Sequence, residues 1–512
     1  MNEPPGAAWY LHTALREIPR VLTLLDRDPS SPTYGCFDRN YWHYRTQDFP
    51  SGMYQELALP LAQVYALDLP GNRWRGEPRL RELALAGVRY AARSAHADGS
   101  CDDYFPYERA LGATAFVAAA HAEVARLLED RSPDTLAHLS RRAWWLVERT
   151  EHGRLANHQA LVALAAARIG RLLADPALLE KARDRLALCL SWQHAEGWFT
   201  EYEGADPGYQ SLTIAFLAAL QPLVELPALD GMLDRALGFA AHFVYPDGAY
   251  GGEIGSRNTY QVLPSGFERL AHRFPQAVYL ADQWLAGVVA GRRGYSDDDR
   301  IICHWLHDYV SAYLARRARR GYGAASWQPA AGVASFPAAG LHVIREHGLH
   351  LTVAGNKGGV FRAYRGQRLL RNDTGLVALL EKGTRLVSHM IDPQTEVELT
   401  EGTITIRGRM HAAQRHLSSP GKQIAFRLVN GTLGRVAPDL LRGLLQRVLI
   451  TGKRPAALTY ERTLDWRSPQ VLKVRDRLVS FQEVSDPIAK LYAATDATSI
   501  YVATSNCWQE AA

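Results

Sequence analysis

One rhythm constrains this chain more than its composition does. Loops crowded with both acids and aromatic residues recur roughly every fifty residues, and each runs into an apolar stretch with helical periodicity. They read YWHYRTQDFPSGMYQE (41–56), DGSCDDYFPYERALG (98–112), TEHGRLANHQAL (150–161), EGWFTEYEGADPGYQSL (196–212) and YPDGAYGGEIGSRNTYQ (245–261). A spacing of about fifty residues accommodates two helices of about twenty plus short connections. A helical hairpin of that size cannot bury its apolar face alone, so its neighbours must stack on it.

Closing such hairpins into a ring places inner helices inside outer ones and brings the loops that enter the inner helices to one rim. The 512-residue length exceeds one ordinary core and predicts a second domain. After about residue 320 the texture changes. RRARRGYGAASWQPAAGVASFPAAG is basic, then rich in small residues, Gly and Pro, as expected of a last helical turn and a linker. Beyond it LHVIREHGLHLTVAG, TEVELTEGTITIRGRM, KQIAFRLVNG, ALTYERTLDW and VLKVRDRLVSF alternate apolar with polar and carry Val, Ile and Thr, which predicts strands. PDLLRGLLQRVL reads as a helical insertion. The expected fold is α+β and multidomain. An N-terminal incomplete (α/α) toroid of about five to six helical hairpins spans 1–325, and a C-terminal antiparallel β-sandwich spans 326–512.

Composition excludes several classes. No segment approaches the ~20 apolar residues of a membrane span. The start MNEPPGAAWYLHTALREIPRVL lacks the basic and apolar regions of a secretion signal, which predicts a cytoplasmic protein. Cys36, Cys101, Cys189, Cys303 and Cys507 are far apart and not in CxxC pairs, as expected of isolated thiols rather than a disulfide framework or a structural zinc site. The net charge of +5 permits an anionic partner, and no nucleic-acid motif is present.

The rim would gather Asp102, Asp103, Tyr107, Glu108, Arg109, Asn157, His158, Glu201, Tyr202, Glu203, Asp206, Tyr209, Glu253, Arg257 and Tyr260. Asn157-His158 opens one very apolar helix and Tyr209 opens the next, about fifty residues later. Asn157 is also an ordinary N-cap residue type, and Tyr209 an ordinary packed aromatic after a Pro-Gly turn. Trp42, Trp198 and Tyr202 are suited to stacking on sugar rings.

This combination resembles the heparinase II/III-like polysaccharide lyases, a superfamily that includes alginate lyase families. EYEGADPGYQSLTIAFLAAL is the most specific local match. The resemblance implies β-elimination at a uronic acid in an acidic polysaccharide or oligosaccharide. It implies that Asn157 and His158 bind the carboxylate, that Tyr209 transfers the proton, and that Arg109, Glu203, Asp206, Tyr202, Trp198, Tyr107, Arg257, Tyr260 and Trp42 contact substrate. Arg109, Arg257 or protonated His158 would have to lower the Tyr209 pKa for it to act as a base. Many such lyases carry an HxHxD-like motif early in the β-domain, with a catalytic His and a metal ligand. Here LHLTVAGNKGGVFRAYRGQRLLRND lacks it, so no metal or other cofactor is expected. Alternation sends His342, His347 and His350 to different faces; His389, His411 and His416 are further histidines, and Lys357, Arg362 or Tyr364 could reach the rim instead. Two other functions fit the same residues. One is a glycoside hydrolase pairing Asp102 or Asp103 with Glu203, Asp206 or Glu253. The other is a non-catalytic glycan-binding or biosynthesis-associated protein.

Overall fold

A computed structural model describes residues 6–151, 153–291, 300–319, 327–413, 419–446, 454–480 and 486–494. His416 and Cys507 lie outside the described residues.

The helical part runs α1 (Ala7–Leu24), α2 (Arg39–Trp42), α3 (Ala58–Ala66), α4 (Pro78–Ser94), α5 (Leu111–Leu127), α6 (Pro133–Glu148) and α7 (Ala156–Leu173). It continues through α8 (Pro176–Ser191), a two-residue hairpin of β1 (Thr200–Glu201) and β2 (Gly204–Ala205), and α9 (Pro207–Leu220). Then follow α10 (Leu229–Ala240), α11 (Ser265–Leu270), α12 (Pro275–Val289) and α13 (Ile302–Ala318). Neighbours in space give the architecture. α3 packs on α5, α5 on α7, α7 on α9, α9 on α11 and α11 on α13, and α13 returns to α3, which closes an inner ring. Helices α4, α6, α8, α10 and α12 alternate with these along the chain and lie outside, and α1 packs on α13.

Sequence explains which helix goes where. Inner α5 and α7 are Ala- and Leu-rich and buried on nearly every side. Outer α4 and α6 bury one stripe and leave charges on the other, as a helix with one solvent face must. Proline at the first helical turn starts α4, α6, α8, α9 and α12, where its missing N–H costs nothing.

The C-terminal part is a β-sandwich. One sheet has the order β3 (Gly332–Phe336), β4 (Leu341–Glu346), β5 (Leu349–Ala354), β6 (Val360–Arg365), β7 (Arg368–Asp373), all antiparallel neighbours. The other contains β8 (Leu376–Leu380), β9 (Arg385–Val387), β10 (Glu396–Thr400), β11 (Thr403–Ala412), β12 (Pro455–Ser468), β13 (Val471–Ser480) and β14 (Ile488–Ala493). Leu349, Leu351, Val353, Phe361 and Ala363 of the first sheet meet Ile404, Ile406, Leu458 and Leu464 of the second in one core. The opposite face of the first sheet joins the toroid core through Leu341, Val343, Ala354 and Val360. Strands β4 to β6 are therefore covered on both faces.

KQIAFRLVNG departs from its expected strand. Most of it forms helix α14 (Pro420–Val429), followed by α15 (Pro438–Gln446). The start signals account for this. The Ser419 side chain caps the Lys422 amide, and Pro420 sits in the first turn. Phe426 packs edge-on against Phe105, Arg427 pairs with Asp48, and Arg435 lies over Tyr107, so this insertion touches the toroid rim.

Candidate functional site

The five polar-aromatic loops lie side by side and bond pairwise around the ring. The Ser51 hydroxyl donates to Asp103 (2.6 Å) and the Gly52 amide to the Asp102 carbonyl (2.7 Å), joining 41–56 to 98–112. Gly112 joins 98–112 to 150–161: a Cβ built there would stand 2.7 Å from His158 Cε1, so the imidazole rests on bare backbone. The Tyr202 amide donates to the Arg154 carbonyl, and Leu155 bridges Glu201, joining 150–161 to 196–212. The Arg257 amide donates to Asp206 Oδ2 (2.8 Å), joining 196–212 to 245–261. Gly208 permits that last approach, since its Cβ would meet the Thr259 carbonyl oxygen at 2.4 Å.

Two helix starts lie at the middle of this belt. Asn157 occupies the first turn of α7, but its neighbour Glu201 does the capping. Glu201 Oε1 accepts the Asn157 amide N–H and Oε2 accepts its side-chain NH2, both at 2.8 Å. Asn157 and Glu201 are each 1% exposed, and Asn157 Oδ1 is buried without a hydrogen bond. Burial pushes the Glu201 carboxyl up to about 8, against the two hydrogen bonds from Asn157. His158 stays partly open, with its Nδ1 2.6 Å from Glu151 Oε2. At the start of α9, Asp206 is the N-cap, accepting the Tyr209 amide N–H at 3.0 Å. Burial raises the Asp206 carboxyl above its ordinary range.

Tyr209 is only partly covered at the surface, yet desolvation by the surrounding protein raises the phenol well above its usual value. Arg257 opposes this, while Tyr202, Glu201 and Tyr104 add to it. Arg257 also lies over the Tyr202 ring, 4.5 Å from its centre. A cation was expected to bring Tyr209 down toward neutrality. The cation is present, but desolvation outweighs it, and the hydroxyl is a proton-bearing phenol at neutral pH. Tyr104 is 70% exposed beside this cluster, with Arg300 stacked 4.1 Å from its ring centre. Tyr104 and Glu151 were not singled out from the sequence, although both lie within the recurring loops.

The other expected residues have assorted places. Arg109 pairs with Asp98 (2.5 Å) and the Tyr107 amide is held by Asp102, both in left-handed backbone. Glu203 is exposed at the turn between β1 and β2. The Trp42 indole donates to the Leu24 carbonyl (2.8 Å), and the ring stays partly exposed. Trp198 stacks on His194 and donates to Glu196, which in turn accepts the Ala338 and Ala339 amides of the sandwich domain. Tyr260 is 2% exposed and lies between Glu253 and Arg362 of β6. Trp198 and Tyr260 thus sit against the domain interface rather than at the open rim.

From the sandwich, Lys357 reaches furthest. Its Nζ donates to the carbonyls of Glu253 (2.6 Å) and Gly255 (2.5 Å) and to Asn258 Oδ1 (2.5 Å), which fixes the loop carrying Arg257 from behind. Burial lowers this amine to about 7, against the pull of Asp206 and Glu253. Arg362 lies over the rings of Tyr245 and Tyr260, and Tyr364 donates to Asp247 (3.1 Å). His350 packs beside Tyr245 and Tyr364, His342 beside Ser335, and His389 is buried near Lys357. His347 is exposed in the β4–β5 turn and His411 lies near Asp392. A separate group, Glu56, Cys303 and His304, offers ligand atoms within 4.8 Å of one another and has the donor types to hold a metal ion.

Comparisons with known proteins agree with this architecture. No protein-family model matches the chain, and no curated protein matches it in sequence. Among solved structures, a Paenibacillus xanthan lyase superposes with a TM-score of 0.56 at 13% identity, over 90% of this chain. The Streptomyces coelicolor A3 chondroitin AC lyase, determined in complex with chondroitin sulphate, superposes with a TM-score of 0.51 at 14% identity, over 80% of this chain and 67% of its own. This chain spans 44% of the length of the xanthan lyase. It shares the helical toroid plus β-domain fold of these polysaccharide lyases.

Proposed function

We propose that the chain cleaves an acidic, uronate-bearing polysaccharide or oligosaccharide by β-elimination at the toroid rim. The observation that carries the reading is the placing of the Tyr209 phenol beside Arg257 and Tyr202, one loop away from Asn157 and His158. Arg257 neutralises the uronate carboxylate, which makes the adjacent carbon-bound proton acidic. His158, oriented by Glu151, accepts that proton, since imidazole is the side chain suited to do so at neutral pH. The electron pair left behind forms the ring double bond as the glycosidic C–O bond breaks. Tyr209, held protonated by burial, donates its proton to the departing oxygen and recovers one from His158. No water is consumed. Asn157 acts one step back, holding Glu201 beneath the site. Tyr202, Tyr107, Arg109, Glu203 and Trp42 remain candidate contacts for neighbouring sugars.

The hydrolase reading needs two reachable carboxylates. Most of the acids named for it already have partners. Asp103 binds Ser51 and Arg300, Asp206 caps α9, and Glu253 binds Tyr260 and Arg362. Asp102 accepts the Tyr107 and Arg109 amides. The test is an incubation with uronate polysaccharides, following both ultraviolet absorbance and reducing ends. The expected result is an unsaturated, ultraviolet-absorbing product from the native protein and none from Tyr209→Phe of unchanged circular dichroism. New reducing ends without an absorbance gain would identify hydrolysis, and binding without turnover would identify a glycan-binding protein; either outcome rejects the lyase reading.

A further inference from the structure

The inner helices have two ends. Their N-termini carry the rim, and their C-termini surround a cavity of about 600 Å³ at the opposite mouth of the toroid. Helices α5 and α7 hold 17 and 18 residues. At 1.5 Å per residue this mouth lies about 25 Å behind the rim. It is lined by Arg126, Arg131, Arg168, Arg171 and Arg269, and Glu123 is the sole acid lining it among the described residues.

Cations belong near helix C-termini, so the question is whether the helix ends account for all of them. Part of their hydrogen bonding goes to backbone carbonyls. Arg168 donates to the Ala119 carbonyl (3.0 Å), Arg171 to that of Leu223 (3.0 Å), and Arg131 to those of Ala125 and Asp130. Arg126 forks onto Glu123 (2.6 and 2.9 Å). The Arg269 Nε is buried with no hydrogen bond. The charge balance does not close. At about half a negative charge each, the ends of the six inner helices supply roughly three, and Glu123 one more, against five guanidinium charges. An excess of about one positive charge remains among the lining residues, with Arg168 and Arg269 partly buried and Arg126, Arg131 and Arg171 exposed. The Arg168 guanidinium is the group most compromised. Burial lowers it first, and Arg269 and Arg126 lower it further, with Glu123 opposing.

We infer that this mouth is a second binding site, for a small molecule bearing a phosphate or carboxylate group with one or two negative charges. The cavity is of the size that holds small ligands, roughly 300–1,000 Å³. Guanidinium groups that already use one or two of their five N–H bonds keep others for an oxyanion, which they grip in pairs. The inference is independent of the chemistry assigned to the rim, because no residue of the rim lines this cavity.

The experiment is a titration of the full chain by calorimetry and by melting temperature, with inorganic phosphate in one arm and sodium glucuronate in the other. Sodium chloride at matched ionic strength is the reference. Saturable binding of either probe is expected, and the arm that binds more tightly assigns the source of the oxyanion. Phosphate binding should weaken at least tenfold in Arg168→Gln and in Arg269→Gln and stay unchanged in Arg257→Gln, and glucuronate is titrated in an Arg257→Gln background, so that binding at the rim does not contribute. Should the two partly buried variants fail to fold, Arg126→Gln, whose side chain is 60% exposed, should still weaken phosphate binding at least threefold. No saturable binding beyond the chloride reference, binding indifferent to all three substitutions, or binding lost only in Arg257→Gln would each overturn the proposal.

Discussion

Glu201 has a carboxyl buried at a helix start, held by a single neighbouring residue through two hydrogen bonds. Its folded value of about 8 lies above the ordinary 4.5, so the folded protein holds a proton that the unfolded chain releases. Stability from this group is full below about pH 4.5 and falls as the pH rises toward 8, where the buried group must ionise. Lys357 has the opposite sense. Its folded value of about 7 lies below the ordinary 10.5, so its contribution is full above 10.5 and falls as the pH drops toward 7. Urea melts of the native protein and of Glu201→Gln at pH 5 and pH 8 separate the two groups. The variant should lose the part of the decline that Glu201 causes and become the more stable of the pair at pH 8. Its amide also offers the buried Asn157 Oδ1 a donor that a carboxylate lacks.

At the scale of elements, the sequence was most legible where one local signal decides the outcome. The Ala- and Leu-rich inner helices are such a case, and so is the spacing that brings the loops to one rim. It misled where two local signals compete. KQIAFRLVNG alternates as a strand does, yet Ser419 and Pro420 ahead of it start a helix. The capping of Asn157 by Glu201 could not be read at all, because 44 residues separate the partners and Asn is itself a good cap. A prediction belongs to the α5–α7 contact. Gly112→Ala is compatible with a helix but places a methyl group 2.7 Å from the His158 ring. The imidazole must turn away from its seat. On the lyase reading, kcat should fall at least fivefold, while stability changes by about 1–2 kcal/mol, as for modest overpacking. Activity assays alongside thermal melts check both halves.

Across the whole molecule, the two domains share polar as well as apolar contacts. Arg362 crosses from β6 to Tyr260 and Glu253 and lies over Tyr245. Arg362 was among the residues of this region expected to reach the rim, but its partners, about a hundred residues away, could not be named from the sequence. Removing one partner of a buried charged network costs about 3–5 kcal/mol. Arg362→Ala should therefore lower the melting temperature clearly and split one calorimetric transition into two, as the domains lose their coupling. A single, unshifted transition would show that the apolar contacts alone join them.

The first sheet of the sandwich belongs to two cores at once, with Leu351 and Val353 serving one and Val343 and Ala354 the other. This restricts how such a protein can be divided or recombined. A toroid cut free after α13 would present to water the surface that β4 to β6 now cover, and would be prone to self-association. A foreign sandwich grafted in its place must match that outer face strand by strand. The natural unit of exchange is therefore the toroid together with its first sheet, and the outer sheet is the part free to diverge.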